Sequence, residues 1–176
     1  MSAMQDILGQ WLTSLRHYFY MCLFLSSPER LPYSPQALLL TGFAYFLLGL
    51  LLVDADNSYP EVCAQILLEL LLLALIAWLL LRWKRKPERL LQTCSALLGV
   101  TLMFSLLIIP LYRSATSDGA IENANLAFLI LAIHIWNLAV MSLIFKRAFE
   151  ISTQLSAIIA FGFYILYNSI FFWLFS

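Results

Sequence analysis

The chain has 176 residues, of which 62% are hydrophobic and only 11% charged, with ten Lys and Arg balanced by ten Asp and Glu. A soluble domain averages about 45–50% apolar and about 25% charged residues, so this composition excludes an ordinary water-soluble fold. Zero formal charge also excludes a nucleic-acid partner, because binding phosphates requires an exposed basic excess.

Along residues 1–27, Ile7, Leu8, Trp11, Leu12, Leu15, Tyr18, Phe19, Cys22 and Leu23 recur at helical spacing, opposite Asp6, Gln10, Thr13, Arg16 and His17. This pattern predicts an amphipathic interfacial helix, or one packed on a bundle. A spanning helix would put Arg16 and His17 in mid-membrane, where each charge costs at least a few kcal/mol. No basic first residues and no small-residue cleavage site mark a signal peptide. The first spanning helix is expected to serve as an uncleaved targeting signal.

Pro28, Pro32 and Pro35 interrupt the helical pattern, since proline cannot donate a backbone hydrogen bond and restricts its predecessor. Residues 28–176 then read as one five-helix transmembrane bundle, with spans at about 36–53, 62–81, 91–111, 126–145 and 153–175. The expected fold is therefore all-α, a polytopic membrane protein with five transmembrane helices and an N-terminal amphipathic interfacial helix. A short acidic hairpin with Asp54, Asp56, Asn57 and Pro60 joins the first two spans, and a polar loop from Arg113 to Asn125, with Asp118 and Glu122, joins the third and fourth. Pro110 falls at the far end of the third span. Trp11, Trp78, Trp83, Tyr112 and Trp173 are expected at the interfaces, where aromatic belts form.

Read this way, nine of the ten basic residues fall on one side: Arg16, Arg30, Arg82, Lys84, Arg85, Lys86, Arg89, Lys146 and Arg147, with Arg113 alone opposite. Retention of basic loops on the cytoplasmic side predicts a cytoplasmic N-terminus and a periplasmic C-terminus in a bacterial inner membrane. Residues 28–39 and 87–98 share PERL and a following AL-L at a fixed offset, seven identities in twelve. A parallel duplication would echo spans one and two in three and four, and repeats of this kind can build a site at their interface.

Polar residues inside the apolar runs are the candidate site. Glu61, Gln65 and Glu69 recur every four residues down one face of the second span, with Glu69 deepest. His134 occupies a similar depth in the fourth span, with Asn137 on the same face. A carboxylate in hydrocarbon needs a partner, so Glu69 and His134 are expected to pair. Tyr45, Thr101 and Asn168 fall near the middle of the other spans. Such a cluster either relays protons or ions, binds a small ligand, or simply holds helices together by hydrogen bonds.

Gly42, Gly49, Ser95 and Gly99 offer small surfaces for close helix packing. Cys22, Cys63 and Cys94 form no CxxC pair and are expected to be unpaired apolar fillers. No catalytic, phosphate-binding or metal-binding motif is present, so no enzyme activity, cofactor or metal is expected.

The stretches RKPERLLQTCSALLGVTLMFSLLIIPLY and IHIWNLAVMSLIFKRAFEISTQLSAIIAFGFYILYNSIFFWLF, with five short-looped spans, resemble the Ypt-interacting-protein (Yip) family, in particular its bacterial members of unassigned role. The longer cytosolic segment and short motifs of eukaryotic members are not found here. The resemblance implies a compact helical membrane protein that acts through partners and not through turnover, and it assigns no functional residue.

Two functions are therefore expected. The first is a non-enzymatic scaffold, assembly or trafficking-type factor whose inner basic patch, Arg82, Lys84, Arg85, Lys86 and Arg89, meets anionic lipid, a membrane-protein partner or a second copy. The second is a small transporter or channel built on Glu69, His134, Asn137 and Asn168, with Gln65 and Tyr45 beside them.

Overall fold

The structure is a computed structural model that describes residues 2–51, 58–117 and 124–175. It consists of six helices, α1 (Ser2–Cys22), α2 (Pro35–Leu50), α3 (Tyr59–Trp83), α4 (Leu90–Ser117), α5 (Ala124–Phe149) and α6 (Thr153–Phe175), with no strand among the described residues. Short 3₁₀ turns at Pro28–Arg30 and Pro87–Arg89 stand before α2 and α4. These are the two copies of the PER motif, and both fold alike, with proline in the first turn, where its missing N–H costs nothing.

Four helices, α3 to α6, are long and apolar enough to cross a membrane. At about 1.5 Å per residue the 16 residues of α2 reach only about 24 Å, short of a hydrocarbon core of about 30 Å. Its expected continuation to Val53, like the acidic hairpin residues Asp54, Asp56 and Asn57 and the loop residues Asp118 and Glu122, lies outside the described residues. The loop expected from Arg113 to Asn125 is shorter than anticipated, because Arg113–Ser117 continue α4 and Asn125 already belongs to α5. Pro110 sits inside α4. Lys146 and Arg147, expected just beyond the fourth span, form the last turn of α5, where they complement the negative end of the helix dipole.

Helix α4 is the hub. Half of its apolar window is buried, against 17–28% for the other three long helices, and it packs against α1, α2, α3 and α5. Helix α6 lies on α5 and α3 instead. Outward faces are mostly apolar: Leu39, Phe43 and Leu47 on α2, Leu67, Leu71 and Leu75 on α3, Phe128 and Ile135 on α5, Ile158 and Phe172 on α6 are all exposed. Water would not tolerate a continuous apolar belt of this size on a soluble monomer. This is the surface of an integral membrane protein.

Helix α1 docks on the bundle along one face. Ser14, Tyr18, Met21 and Cys22 are buried, while Leu8, Leu12 and Phe19 remain exposed on the opposite side. The anchor is Tyr18, fully buried, with its hydroxyl 2.6 Å from Ser95 Oγ and 3.3 Å from Thr41 Oγ1. Its ring lies on Gly99, where a Cβ would come within 2.4 Å of it. The close approach at Ser95 and Gly99 thus serves an aromatic side chain of α1. Trp11 adds a second tie, its indole N–H donating to Thr41 Oγ1 at 3.3 Å. Trp136 holds the end of the same helix by donating to the Cys22 carbonyl at 2.9 Å.

A polar clasp closes one end of the bundle. Lys86 and Arg89, in the α3–α4 connection, both pair with Glu150 in the α5–α6 connection, and Arg89 also reaches Glu29 of the first PER turn at 3.3 Å. Gln92 Nε2 donates to the Leu31 carbonyl at 2.9 Å, so the two PERL copies pack directly on each other. At the opposite end, Arg113 donates to the Leu51 carbonyl and ties α4 to α2.

Candidate functional site

Helices α2 to α6 surround a chamber between α3 and the α5–α6 pair. It has two adjoining lobes that share Tyr45, Glu69, Ser105, His134 and Tyr167. The deeper lobe, of about 220 Å³, adds Thr101, Phe104, Asn137 and Phe163. The wider lobe, of about 550 Å³, extends toward the α2–α3 hairpin and adds Gly49, Gln65, Tyr112 and Phe171.

Glu69 sits about two residues, or about 3 Å, from the middle of α3, where leucines on the outward face leave it facing inward. Its Oε2 accepts a hydrogen bond from the Tyr45 hydroxyl at 2.5 Å. Tyr45 is buried in a small apolar cluster with Val62, Ile66, Leu98 and Leu102, which fixes the phenol in place. An O–H···O bond of this length lies at the short end of the usual range.

His134 faces the same chamber but makes no hydrogen bond or ion pair with Glu69 among the described residues; it bonds its own helix, with Nδ1 2.9 Å from the Ile130 carbonyl. A carbonyl only accepts, so Nδ1 carries the proton of this bond, and Nε2 makes no hydrogen bond among the described residues. Tyr164 stands edge-on to the imidazole with ring centroids 6.5 Å apart. Asn137, one turn deeper, also lines the chamber, and its Oδ1 is buried without a hydrogen-bond partner. Buried polar atoms are nearly always paired, so an orphan acceptor facing a cavity is unusual.

No family model, curated protein or solved structure matches this chain.

Of the expected polar cluster, Tyr45, Glu69, His134 and Asn137 line one lobe, and Gln65 lines the next. Asn168 does not join them. It is exposed on the lipid side of α6, where its amide donates to the Tyr164 carbonyl at 2.8 Å. A mid-span asparagine can satisfy its donor on its own helix, and only its angular position decides whether it faces in or out. Glu61 also departs from the stripe, accepting from the Ser58 backbone N–H at 3.1 Å as a cap of α3.

Sequence inspection missed Ser105, Tyr164, Tyr167 and Phe171. Their signal was spacing: Ser105 lies one turn beyond Thr101, and the three aromatics repeat at intervals of three and four on α6. No group of three or more His, Cys, Asp or Glu side chains is placed to hold a metal among the described residues. Cys22, Cys63 and Cys94 are free thiols.

The basic patch divides into two parts. Lys86 and Arg89 are committed to Glu150 and Glu29 in the clasp. Arg82 lies over the Trp78 ring at 5.1 Å and Lys84 over Trp83 at 5.2 Å, a placement suited to the membrane interface. Outside the spans, Lys86 and then Arg89 hold the Glu150 carboxyl below the usual carboxylate range.

Proposed function

We propose that this chain is a non-enzymatic, multi-pass protein of a bacterial inner membrane that binds and passes a small polar solute or proton through the chamber around Glu69. In this reading α2 completes a fifth span and α1 docks at the cytoplasmic side, close to the anionic headgroups. The nine basic residues keep the clasp end and the N-terminus in the cytoplasm, and the C-terminus faces the periplasm. The Yip-like pattern of five short-looped spans is compatible with this arrangement.

One observation carries the proposal: acceptors from α3 and α5, at Glu69, His134 and Asn137, face a common cavity that widens toward one end of the bundle. A purely structural hydrogen-bond network would pair these groups with each other, because lipid offers no alternative partner. Here the Asn137 acceptor is left free, and Glu69 and His134 share space in place of a bond. The test is purified protein in liposomes with a trapped pH-sensitive dye under a proton or potassium gradient. Faster dissipation than in empty liposomes, abolished by Glu69→Gln, is expected. Wild-type liposomes as tight as empty ones would overturn the proposal.

A second reading has its own observation. Arg82, Lys84 and Arg85 have no acidic partner among the described residues, so they remain available to anionic lipid or to a protein partner in a scaffold or assembly role. Each basic residue near an anionic surface contributes about 1 kcal/mol. Charge reversal at Arg82, Lys84 and Arg85 that left lipid binding and co-purifying proteins unchanged would remove this reading.

A further inference from the structure

Three acceptor groups line the deeper lobe of the chamber from two helices, at Glu69, His134 and Asn137. Glu69 Oε2 takes the Tyr45 hydroxyl, which leaves Oε1 without a partner among the described residues. Asn137 Oδ1 is buried and unpaired. His134 spends its proton on the Ile130 carbonyl and presents Nε2. All three residues line the deeper lobe, and aromatic side chains, Phe104, Phe163, Tyr164 and Tyr167, form much of its wall.

We infer that the chamber's ligand is an organic ammonium: a primary or secondary amine in its protonated form, with an apolar body. The inference rests on the proposed solute-binding role of the same chamber and names the solute's chemistry. Three acceptors on one lobe, one of them a carboxyl group, match the three N–H donors of a primary ammonium. Aromatic faces add cation–π attraction that strengthens when water is excluded. A bare metal cation fits poorly, because hard cations take six or more oxygen ligands, and no group of three or more His, Cys, Asp or Glu side chains is placed to hold one among the described residues. An anion would find no Lys or Arg among the residues that line either lobe. The wider lobe, lined by Val62, Ile66, Ile109, Ile130 and Phe171, takes the apolar body, and its volume of about 550 Å³ lies within the usual range of about 300–1,000 Å³ for small-molecule sites.

The test is calorimetric titration of the full chain in dodecylmaltoside micelles with phenethylammonium chloride. The controls are 3-phenylpropan-1-ol, a neutral compound of similar shape, and phenylacetate. Saturable binding of phenethylammonium is expected, at least tenfold tighter than either control and weakened at least tenfold by Glu69→Gln. Asn137→Leu removes an unpaired buried acceptor and so should fold at least as well as the wild type. It should bind several-fold more weakly. Equal affinity for the ammonium and the alcohol, or binding unchanged in both variants, would overturn the inference. Glu69-dependent proton flux in liposomes without ammonium binding would overturn the ligand class alone. Absence of both flux and binding would overturn the chamber's proposed role as well.

Discussion

Replacing Gly99 by alanine tests how α1 is held. A Cβ there would lie 2.4 Å from two atoms of the Tyr18 ring, about 1 Å closer than ordinary carbon contact allows. The ring cannot swing away at low cost, since it is fully buried and its hydroxyl is fixed by Ser95 at 2.6 Å and Thr41 at 3.3 Å. Overpacking a tight core costs about 1–3 kcal/mol, and each buried hydrogen bond lost adds about 0.5–1.5 kcal/mol. The expected destabilisation, with both bonds lost, is about 2–6 kcal/mol. Equilibrium unfolding in mixed dodecylmaltoside–dodecylsulfate micelles, followed by far-ultraviolet circular dichroism, would measure it. In a Tyr18→Ala background the clash no longer exists, and Gly99→Ala should cost less than about 0.5 kcal/mol, a coupling that a double-mutant cycle reads directly. An equal cost in both backgrounds would refute the docking of Tyr18 on Gly99.

Tyr45→Phe deletes the hydrogen bond to Glu69 while keeping the ring in its apolar cluster. The expected loss is about 1–3 kcal/mol in the same unfolding assay, because a buried acceptor is left without its partner, and a change below about 0.5 kcal/mol would show that the bond contributes little. Asn168→Leu should be neutral within about 0.5 kcal/mol, because the side chain faces lipid and bonds only its own helix; loss of liposome flux in this variant would return it to the site. The clasp predicts a pH dependence. Glu150 is held below the usual carboxylate range by Lys86 and Arg89 in the folded state, so its contribution is present above the ordinary carboxylate pKa and is lost as pH falls through the depressed folded value. Thermal unfolding scanned from neutral to strongly acidic pH should show this loss, reduced in Glu150→Gln and weakened by salt; an identical acid profile in the variant would remove the clasp from the account.

The helices were legible because apolar length and proline punctuation are local signals. Glu69 and His134 were matched in depth by counting residues from span ends, and both do line one chamber. Depth says nothing about rotation, however. Asn168 sits at a similar level but on the wrong face, and Glu69 took its bond from Tyr45 in place of the expected imidazole. Rotation is set by packing, here by α4 receiving α1 through Gly99, a contact between residues 81 positions apart that no window of sequence contains. Charge counting placed Lys86 and Arg89 together at one end, but their partner Glu150 lies in a different connection. The PERL repeat carried further than expected, since its two copies fold into the same turn and meet through Gln92 and Arg89.

The central claim is that a polar chamber opens into the bundle beside Glu69, and cysteine accessibility tests it most directly. With Cys22, Cys63 and Cys94 replaced, single cysteines would be placed at Ser105, which lines both lobes, and at Leu106, its exposed neighbour on the outer face of α4. Each is treated in proteoliposomes with aminoethyl methanethiosulfonate, a thiol reagent that is itself a small ammonium. Modification is predicted at Ser105→Cys, slowed by phenethylammonium, with little at the lipid-facing Leu106→Cys. No modification at Ser105→Cys, or equal rates at both positions, would contradict the account.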